Sequence, residues 1–324
     1  MSDPLGSVDA DRPFDVSGAS AVGDSVTVES ERPLDVALTL APHGRGPRDP
    51  TQRRTPDGAV WRTSRQPGGP VTYRVTQPGR HTARVQAWGP GAADVLARAR
   101  DLVGADDDAS TFAPRHPLLV EAHRRHPHLR IGSTGRVFEA LVPAVLEQRV
   151  HTIAAHRSWA WLVRRYGSPA PGPAPRDLLV PPEPRTWRTI PSWAYHRAGV
   201  DPSRSRTLVR CAEVADSLER AATAEYDEFV RRVTSLPGVG VWTAAHTAQR
   251  ALGAADALAI GDYNIPDIVG WTLEGRAMAD AEMVEYLDHL RPHRHRAVWL
   301  LMVSGAAYKP KRGPRTPLVD HTWH

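Results

Sequence analysis

The residues best suited to chemistry fall in two stretches: Leu236-Pro237-Gly238-Val239-Gly240, and Asp262 directly after the apolar run Ala257-Leu258-Ala259-Ile260-Gly261. Gly238 and Gly240 have no β-carbon, so both can adopt positive φ in a tight hairpin and let the backbone approach another molecule closely. The segment after them reads as a helix. Its first amides and positive dipole end would join the glycine amides in an anion site that uses no charged side chain. Such a site grips a phosphate backbone without reading sequence. The same five residues also fit an ordinary helix–Pro–Gly–helix turn. Asp262 precedes a further helical segment, where an Asp N-cap contributes about 1 kcal/mol. Capping amides favour its ionised form and burial disfavours it. From an ordinary value of about 3.9, the group needs a rise of roughly three units to be mostly neutral at pH 7. An ionised carboxylate beside a sugar can stabilise an oxocarbenium-like transition state or orient water, which is what cleavage of an N-glycosidic bond requires. Capping and catalysis are compatible roles.

These residues need elements to hold them. From Pro117 onward the pattern is helical: Phe138, Leu141, Val142, Val145, Leu146, Val150 and Ile153 recur at helical spacing and predict one buried face. Further amphipathic runs cover Arg204–Arg220, Tyr226–Ser235, Val241–Leu252, a segment after Asp262, Asp280–Leu290 and Arg294–Ala307, with a proline-rich connector at Ser168–Pro191. Before Pro117 the period is two. Leu34, Val36, Leu38 and Leu40 alternate with Asp35, Ala37 and Thr39, and Val71-Tyr73-Val75 and His81-Ala83-Val85-Ala87 repeat the pattern, the last two joined by a turn at Gln77-Pro78-Gly79-Arg80. The polar segment His43–Gly58 reads as a long exposed loop, and a helix over Ala92–Val103 closes a small unit. The expected fold is mainly α with a smaller α+β domain: a flexible N-terminus (1–14), an α+β (β-sheet) domain (15–112), a helical domain (113–308) and a basic tail (309–324). No internal repeat or heptad appears.

A chain of 324 residues can bury a sizeable core in two or three subdomains. The formal charge of +5 favours a polyanionic partner. Nearly all the positive charge is arginine, whose planar fork suits phosphate, since Lys309 and Lys311 are the only lysines; a GC-rich genome would produce the same bias. The single cysteine, Cys211, excludes an internal disulfide, a four-cysteine iron–sulfur cluster and a cysteine-based zinc site. His116, His123, His126 and His128 lack an organised carboxylate or cysteine partner, so no metal site is expected there. Met1–Phe14 has no apolar core for a signal peptide, and the longest apolar run, Ala297–Ala307, is too short for a bilayer. A cytoplasmic protein is expected.

With these segments in place, the chain resembles the helix-hairpin-helix DNA glycosylase superfamily, most closely its 3-methyladenine DNA glycosylase II branch. The resemblance is carried by Leu236-Pro-Gly-Val-Gly-Val-Trp-Thr-Ala244, by Gly261-Asp-Tyr263 and by Phe138-Glu-Ala-Leu-Val-Pro-Ala-Val-Leu-Glu-Gln148, and it covers residues 115–308. The strand-rich region before it resembles the family's smaller antiparallel β-sheet domain. By motif, the resemblance implies that Asp262 is the catalytic aspartate. Trp242 stands where bifunctional members carry a Schiff-base lysine, which implies a monofunctional enzyme that leaves an abasic site uncut. Gln148 matches the polar residue near the gap left by the flipped nucleotide. Arg149 replaces the usual apolar plug, and a guanidinium can stack on bases or bind phosphate instead. Trp242, His246, Tyr263, Met302 and Gln148 are the implied pocket residues, with His246 and Met302 where the best-known branch members are aromatic. Arg149, Leu236, Pro237, Gly238, Val239, Gly240 and Thr243 are the implied DNA contacts.

The resemblance implies no required cofactor. It does imply that hairpin carbonyls, Leu236 and Val239 among them, can hold a sodium or potassium ion. The implied partner is double-stranded DNA containing damaged bases, met by a nucleoid-associated monomer that flips out and hydrolytically removes an alkylated base, with no membrane involved. The alternatives are a glycosylase for oxidised or deaminated bases and a non-catalytic DNA-binding protein. A bare binding module would need neither the long flanking helices nor an aspartate at this spacing. The individual residues also have plainer readings: Trp242 as core, His246 as a satisfied interior histidine, Glu147 and Gln148 as capping or solvent-facing groups, and Asp256 and Asp267 as surface or capping carboxylates.

Overall fold

The computed structural model describes residues 23–311. The expected flexible N-terminus and most of the basic tail lie outside them. In chain order the elements are β1 (Asp24–Glu29), α1 (Val36–Leu40), β2 (Gln52–Arg54), β3 (Val60–Gln66), β4 (Gly69–Gly79), β5 (Thr82–Trp88), α2 (Ala92–Ala97) and α3 (Ala99–Leu102). There follow α4 (Pro117–Arg125), α5 (Val137–Leu146), α6 (Thr152–Tyr166), β6 (Ser168–Pro169), β7 (Leu179–Val180), α7 (Pro184–Thr189), α8 (Ser192–Arg197), α9 (Pro202–Glu213) and α10 (Ala215–Glu219). The last are α11 (Tyr226–Thr234), α12 (Val241–Ala251), α13 (Ile265–Leu273), α14 (Asp280–Tyr286) and α15 (Arg294–Val303).

The first five strands form an antiparallel sheet in the order β1-β5-β4-β3-β2. Val71, Tyr73 and Val75 of β4 and Ala83, Val85 and Ala87 of β5 are buried on one face, as period-two alternation dictates. That face packs on α1, α2 and α3. The segment Leu34–Leu40 is not a strand. Asp35 caps α1 by accepting from the Leu38 N–H at 2.8 Å, and Val36, Thr39 and Leu40 then bury at helical spacing, so a local cap overrides an ambiguous apolar alternation.

His43–Gly58 is not an exposed loop either. Arg45, Asp49 and Thr51 are buried, and β2 lies within the segment. The Asp49 carboxylate accepts from the Arg45 N–H, from the Thr51 N–H and hydroxyl, and from Trp159 Nε1 of α6 at 3.0 Å. A polar segment can be buried when its groups are satisfied in this way.

The predicted continuous face from Phe138 to Ile153 is interrupted. α5 ends at Leu146, Arg149 has φ +54°, and α6 begins anew with Ile153 largely exposed. Among the described residues Arg149 is the one non-glycine at positive φ, a conformation costing about 1 kcal/mol or more. The proline-rich connector is packed: Trp187 is buried, its Nε1 donates to the Pro182 carbonyl, and its own carbonyl accepts from the Tyr195 hydroxyl.

The helical part has two apolar clusters. One joins α5, α6, α8, α9, α11 and α12, and the other joins α4 to α13, α14 and α15. Phe112 packs into the second, whereas the sheet's cluster ends at Ala105. Glu139 of α5 ties sheet to helices, accepting from Arg62 Nη2 at 2.8 Å, Ser64 Oγ at 2.7 Å and the Arg65 N–H at 3.1 Å. No described helix is long and apolar enough to cross a membrane.

Candidate active site

The hairpin between α11 and α12 is built around Gly238. Its φ is +93°, and a β-carbon there would fall 2.1 Å from Thr207 Oγ1 on α9. Gly240 differs from expectation, with φ −98° and ψ 179°, an extended backbone open to any residue. A β-carbon at Gly240 would meet nothing within 4 Å, so its use is an unobstructed surface and not a turn. No side chain caps the first turn of α12. Pro237, Gly238 and Gly240 are exposed and Leu236 half-buried, while the Val239 side chain is buried and leaves only its backbone available. These open amides at a positive helix end can hold an anion. Gly238→Ala should weaken DNA binding to undamaged and damaged duplexes alike, because strain and the Thr207 clash deform the hairpin. Fluorescence anisotropy on both duplexes checks this, and an unchanged affinity would contradict it.

Gln148 does not reach a pocket. Its Nε2 donates to the Gly238 carbonyl and to Thr243 Oγ1, each at 2.9 Å, and so buttresses the hairpin from α5's end. Thr243, 2% exposed, is too deeply buried to touch DNA and belongs to the same buttress. Arg149 follows Gln148 directly and is exposed. Of the two carbonyls considered for a monovalent ion, Leu236 O already accepts the Val239 N–H at 3.0 Å, which leaves its second lone pair.

Asp262 sits at the foot of α13. Its Oδ1 accepts from the Asn264 N–H at 2.7 Å and the Ile265 N–H at 3.0 Å, and its Oδ2 accepts from Trp242 Nε1 at 2.9 Å. Burial alone would raise its pKa. The His246 imidazole beside it, the indole N–H and the two backbone amides outweigh burial and hold the carboxyl far below the usual carboxylate range. The group is ionised and only partly exposed, and it satisfies the first amides of α13 while facing α12.

Asp262 faces a pocket of about 230 Å³ walled by the sheet unit (Thr39, Pro42, His43), by α12 (His246, Arg250), by α13 (Ile268) and by α15 (Trp299, Met302). His246 and Met302 are thus brought together with Asp262. Trp242 is not in the lining; it packs on His246 with ring centroids 4.2 Å apart and holds Asp262 from behind. Tyr263 is not a pocket residue. It is 84% exposed, and Lys309 Nζ lies 4.3 Å from its ring centre. With Asp262 turned inward to cap α13, the next side chain points outward.

Lys309 therefore comes close to the site from the C-terminal side, although it is remote from the hairpin in sequence. Its ammonium is anchored by the Asn264 side chain at 3.0 Å and by Asp267 at 3.4 Å. Asp256 and Asp267 are not plain surface groups: Asp256 clamps Arg294, and Asp267 is buried in this ion pair.

Sequence reasoning missed the basic wall. Arg250 lies one turn after His246 on α12, where helical spacing alone could have found it. Its Nε donates to the Pro42 carbonyl at 2.9 Å and its Nη1 to the His246 carbonyl at 2.8 Å. Burial pulls its pKa down to about 9, so it stays charged at neutral pH. Behind it, Glu147 is half-buried against Arg45 and His156 at 3.6 and 3.7 Å. Burial opposes its ionisation, yet His156, Arg45 and Arg250 hold it ionised, at about 2. His295 is pushed down to about 3 by burial and is neutral. The His116–His128 cluster does structural work: His116 caps α4 and meets the Leu273 carbonyl, and His123 packs edge-on against Phe112. Among the described residues no group of three His, Cys, Asp or Glu is placed to hold a metal.

No family model matches the chain. Over 223 residues it is 30% identical to the probable bifunctional transcriptional activator/DNA repair enzyme AlkA of Mycobacterium tuberculosis, in an alignment covering 64% of this chain and 43% of that protein. The chain thus spans less than half the length of the curated relatives it matches. Among solved structures it is similar to a 3-methyladenine DNA-glycosylase from Archaeoglobus fulgidus, with a TM-score of 0.70, 17% identity and coverage of 86% of this chain and 98% of that one. An 8-oxoguanine glycosylase/lyase of Clostridium acetobutylicum gives a TM-score of 0.67 at 12% identity, covering 86% and 95%. With its antiparallel sheet and its hairpin between α11 and α12, the chain has the fold of these solved DNA glycosylases, and over part of its length it is similar in sequence to AlkA.

Proposed function

We propose that the protein is a monofunctional DNA N-glycosylase that flips a damaged base out of the duplex, alkylated bases first, and hydrolyses its glycosidic bond. The observation that carries this reading is the ionised Asp262 at the wall of a base-sized pocket, held by Trp242 in the first turn of the helix after the hairpin. A base inside a duplex hides its glycosidic bond, so extrusion comes first, at a cost of a few kcal/mol that damage lowers. The hairpin amides hold the backbone while Arg149, exposed beside the hairpin's buttress, enters the gap. Asp262 then stabilises positive charge on the sugar as the base departs, and water completes the hydrolysis. The carbonyls of Leu236 and Val239 are suited to a monovalent cation, which would add positive charge facing a phosphate. A DNA repair enzyme and a 3-methyladenine DNA-glycosylase among the relatives and neighbours support base removal, and chromosomal DNA in the cytoplasm is the setting proposed for it.

A lyase would need an amine at the sugar. No lysine stands on α12, and the Lys309 ammonium is held in an ion pair with Asp267. Base release is therefore expected to leave a strand that breaks only after alkali, with no protein–DNA adduct on borohydride reduction. An adduct lost in Lys309→Ala would show a Schiff base at this residue and overturn the monofunctional reading. An absence of base release from every duplex in a single-lesion panel would overturn the glycosylase reading itself.

A further inference from the structure

Ile260, Tyr263, Met302 and Tyr308 are exposed large apolar or aromatic side chains, and all four lie on two segments beside Asp262, 260–263 and 302–308. Exposed apolar groups gathered at one place mark a contact surface. Tyr263 stands out furthest, at 84% exposure, yet its ring is not loose.

The anchor is the segment after α15. The chain reverses at Gly305, where φ is +73°, and the Ala307 N–H returns to the Leu301 carbonyl. The Tyr308 N–H then donates to Thr272 Oγ1 of α13 at 2.8 Å, which brings Lys309 to the turn that carries Asp262. Three acceptors surround its ammonium: Asn264 Oδ1 at 3.0 Å, the Tyr263 carbonyl at 3.3 Å and the Asp267 carboxylate at 3.4 Å. An ammonium has three N–H donors, so this charge is satisfied within the protein and is not left over for a phosphate. The same ammonium lies 4.3 Å from the Tyr263 ring centre. A cation over one ring face holds the ring by cation–π attraction and leaves the other face and the hydroxyl to solvent. Lysine suits this place in an arginine-rich chain, because a point charge fits acceptors that converge on one atom.

Position decides what Tyr263 meets. Trp242 lies two residues after Gly240 and donates to Asp262, so one indole bridges the hairpin to the turn that bears Tyr263. A nucleotide whose base fills the pocket brings its sugar to Asp262 and its backbone past Tyr263. A base still stacked in the duplex keeps its backbone away from this turn. We propose that Tyr263 is a second grip on the lesion strand, made only in the extruded state: its ring packs on the deoxyribose of the turned-out nucleotide and its hydroxyl donates to a flanking phosphate. Lys309 is the positioning residue that holds the ring ready. The inference rests on the reading of Asp262 and its pocket as a glycosylase site. Whereas the hairpin binds any duplex, Tyr263 engages after flipping and so shifts the equilibrium toward the extruded nucleotide.

The test is fluorescence anisotropy with two duplexes, one undamaged and one carrying a tetrahydrofuran abasic-site analogue, whose sugar turns out at little unpairing cost. Tyr263→Ala should weaken binding to the tetrahydrofuran duplex by about tenfold and to the undamaged duplex by less than about twofold. Lys309→Met keeps the ring but removes its anchor, and should show the same selective loss at about threefold, because a mobile ring must be ordered on binding. A merely structural role would weaken both duplexes together. Equal losses on the two duplexes in Tyr263→Ala, or no loss, would overturn the inference, and wild-type affinities in Lys309→Met would overturn the part given to Lys309. The glycosylase reading stands or falls separately, on base release by the wild type from the single-lesion panel.

Discussion

Asp262→Asn should reduce base release by at least about a hundredfold while leaving the protein folded. The amide keeps the shape of the carboxylate, and its oxygen can still accept from the Asn264 and Ile265 N–H groups that cap α13. What it removes is the negative charge that the proposed mechanism sets against the sugar, together with the acceptor for Trp242 Nε1, which then faces the amide nitrogen. The pH dependence follows from the same contacts. The Asp262 carboxyl is held far below its ordinary value, so its stabilising interactions are complete above the unfolded value of about 3.9 and are lost only as pH falls through the lower folded one. Base release should therefore show no protonation step from this residue between about pH 5 and 8. A pH–rate profile whose acid limb disappears in Asp262→Asn would contradict the assignment of an ionised carboxylate.

Glu139→Ala should destabilise the protein by about 3–5 kcal/mol, read as a shift of the denaturant midpoint. Arg62 is buried, the Glu139 side chain is only 9% exposed, and the carboxylate also accepts from Ser64 and the Arg65 backbone. Truncation leaves the Arg62 guanidinium with the His43 carbonyl and Gln52 as its remaining partners, an incompletely paired charge inside the sheet–helix interface. Because Arg62 bonds to His43, a wall residue of the pocket, base release should fall with stability. A loss below about 1 kcal/mol would mean that solvent reaches this pair and that sheet and helices are joined mainly by apolar contact.

Local chemistry was legible in the sequence, and assembled chemistry was not. The Leu236–Gly240 hairpin, the helices around it and the capping position of Asp262 are set by residues close in the chain, where glycine conformation and helix periodicity speak directly. The two central strands β4 and β5 were equally plain from alternation. Leu34–Leu40 misled because its apolar residues satisfy periods of two and of four at once, and the deciding element was the Asp35 side chain. His43–Gly58 looked like solvent-facing loop because polarity normally marks exposure, yet Asp49 makes burial tolerable by collecting four donors, one of them from Trp159 far along the chain. The pocket was least visible. Thr39 and His43 come from the sheet unit, Arg130 from the loop before α5, Arg250 from α12 and Met302 from α15, so no sequence window contains it. Motif position placed Tyr263 and Gln148 in that pocket, but the backbone turn at Asp262 points Tyr263 outward, and two hydrogen bonds commit Gln148 to the hairpin.

The division of labour between grip and chemistry is open to one direct measurement: affinity and single-turnover base release determined together, for wild type and Asp262→Asn, on a duplex carrying whichever lesion the wild type releases fastest. The two proteins should bind with dissociation constants equal within about threefold, since the hairpin is untouched, while the variant loses at least about a hundredfold in rate. Full base release by Asp262→Asn would contradict the account at its centre.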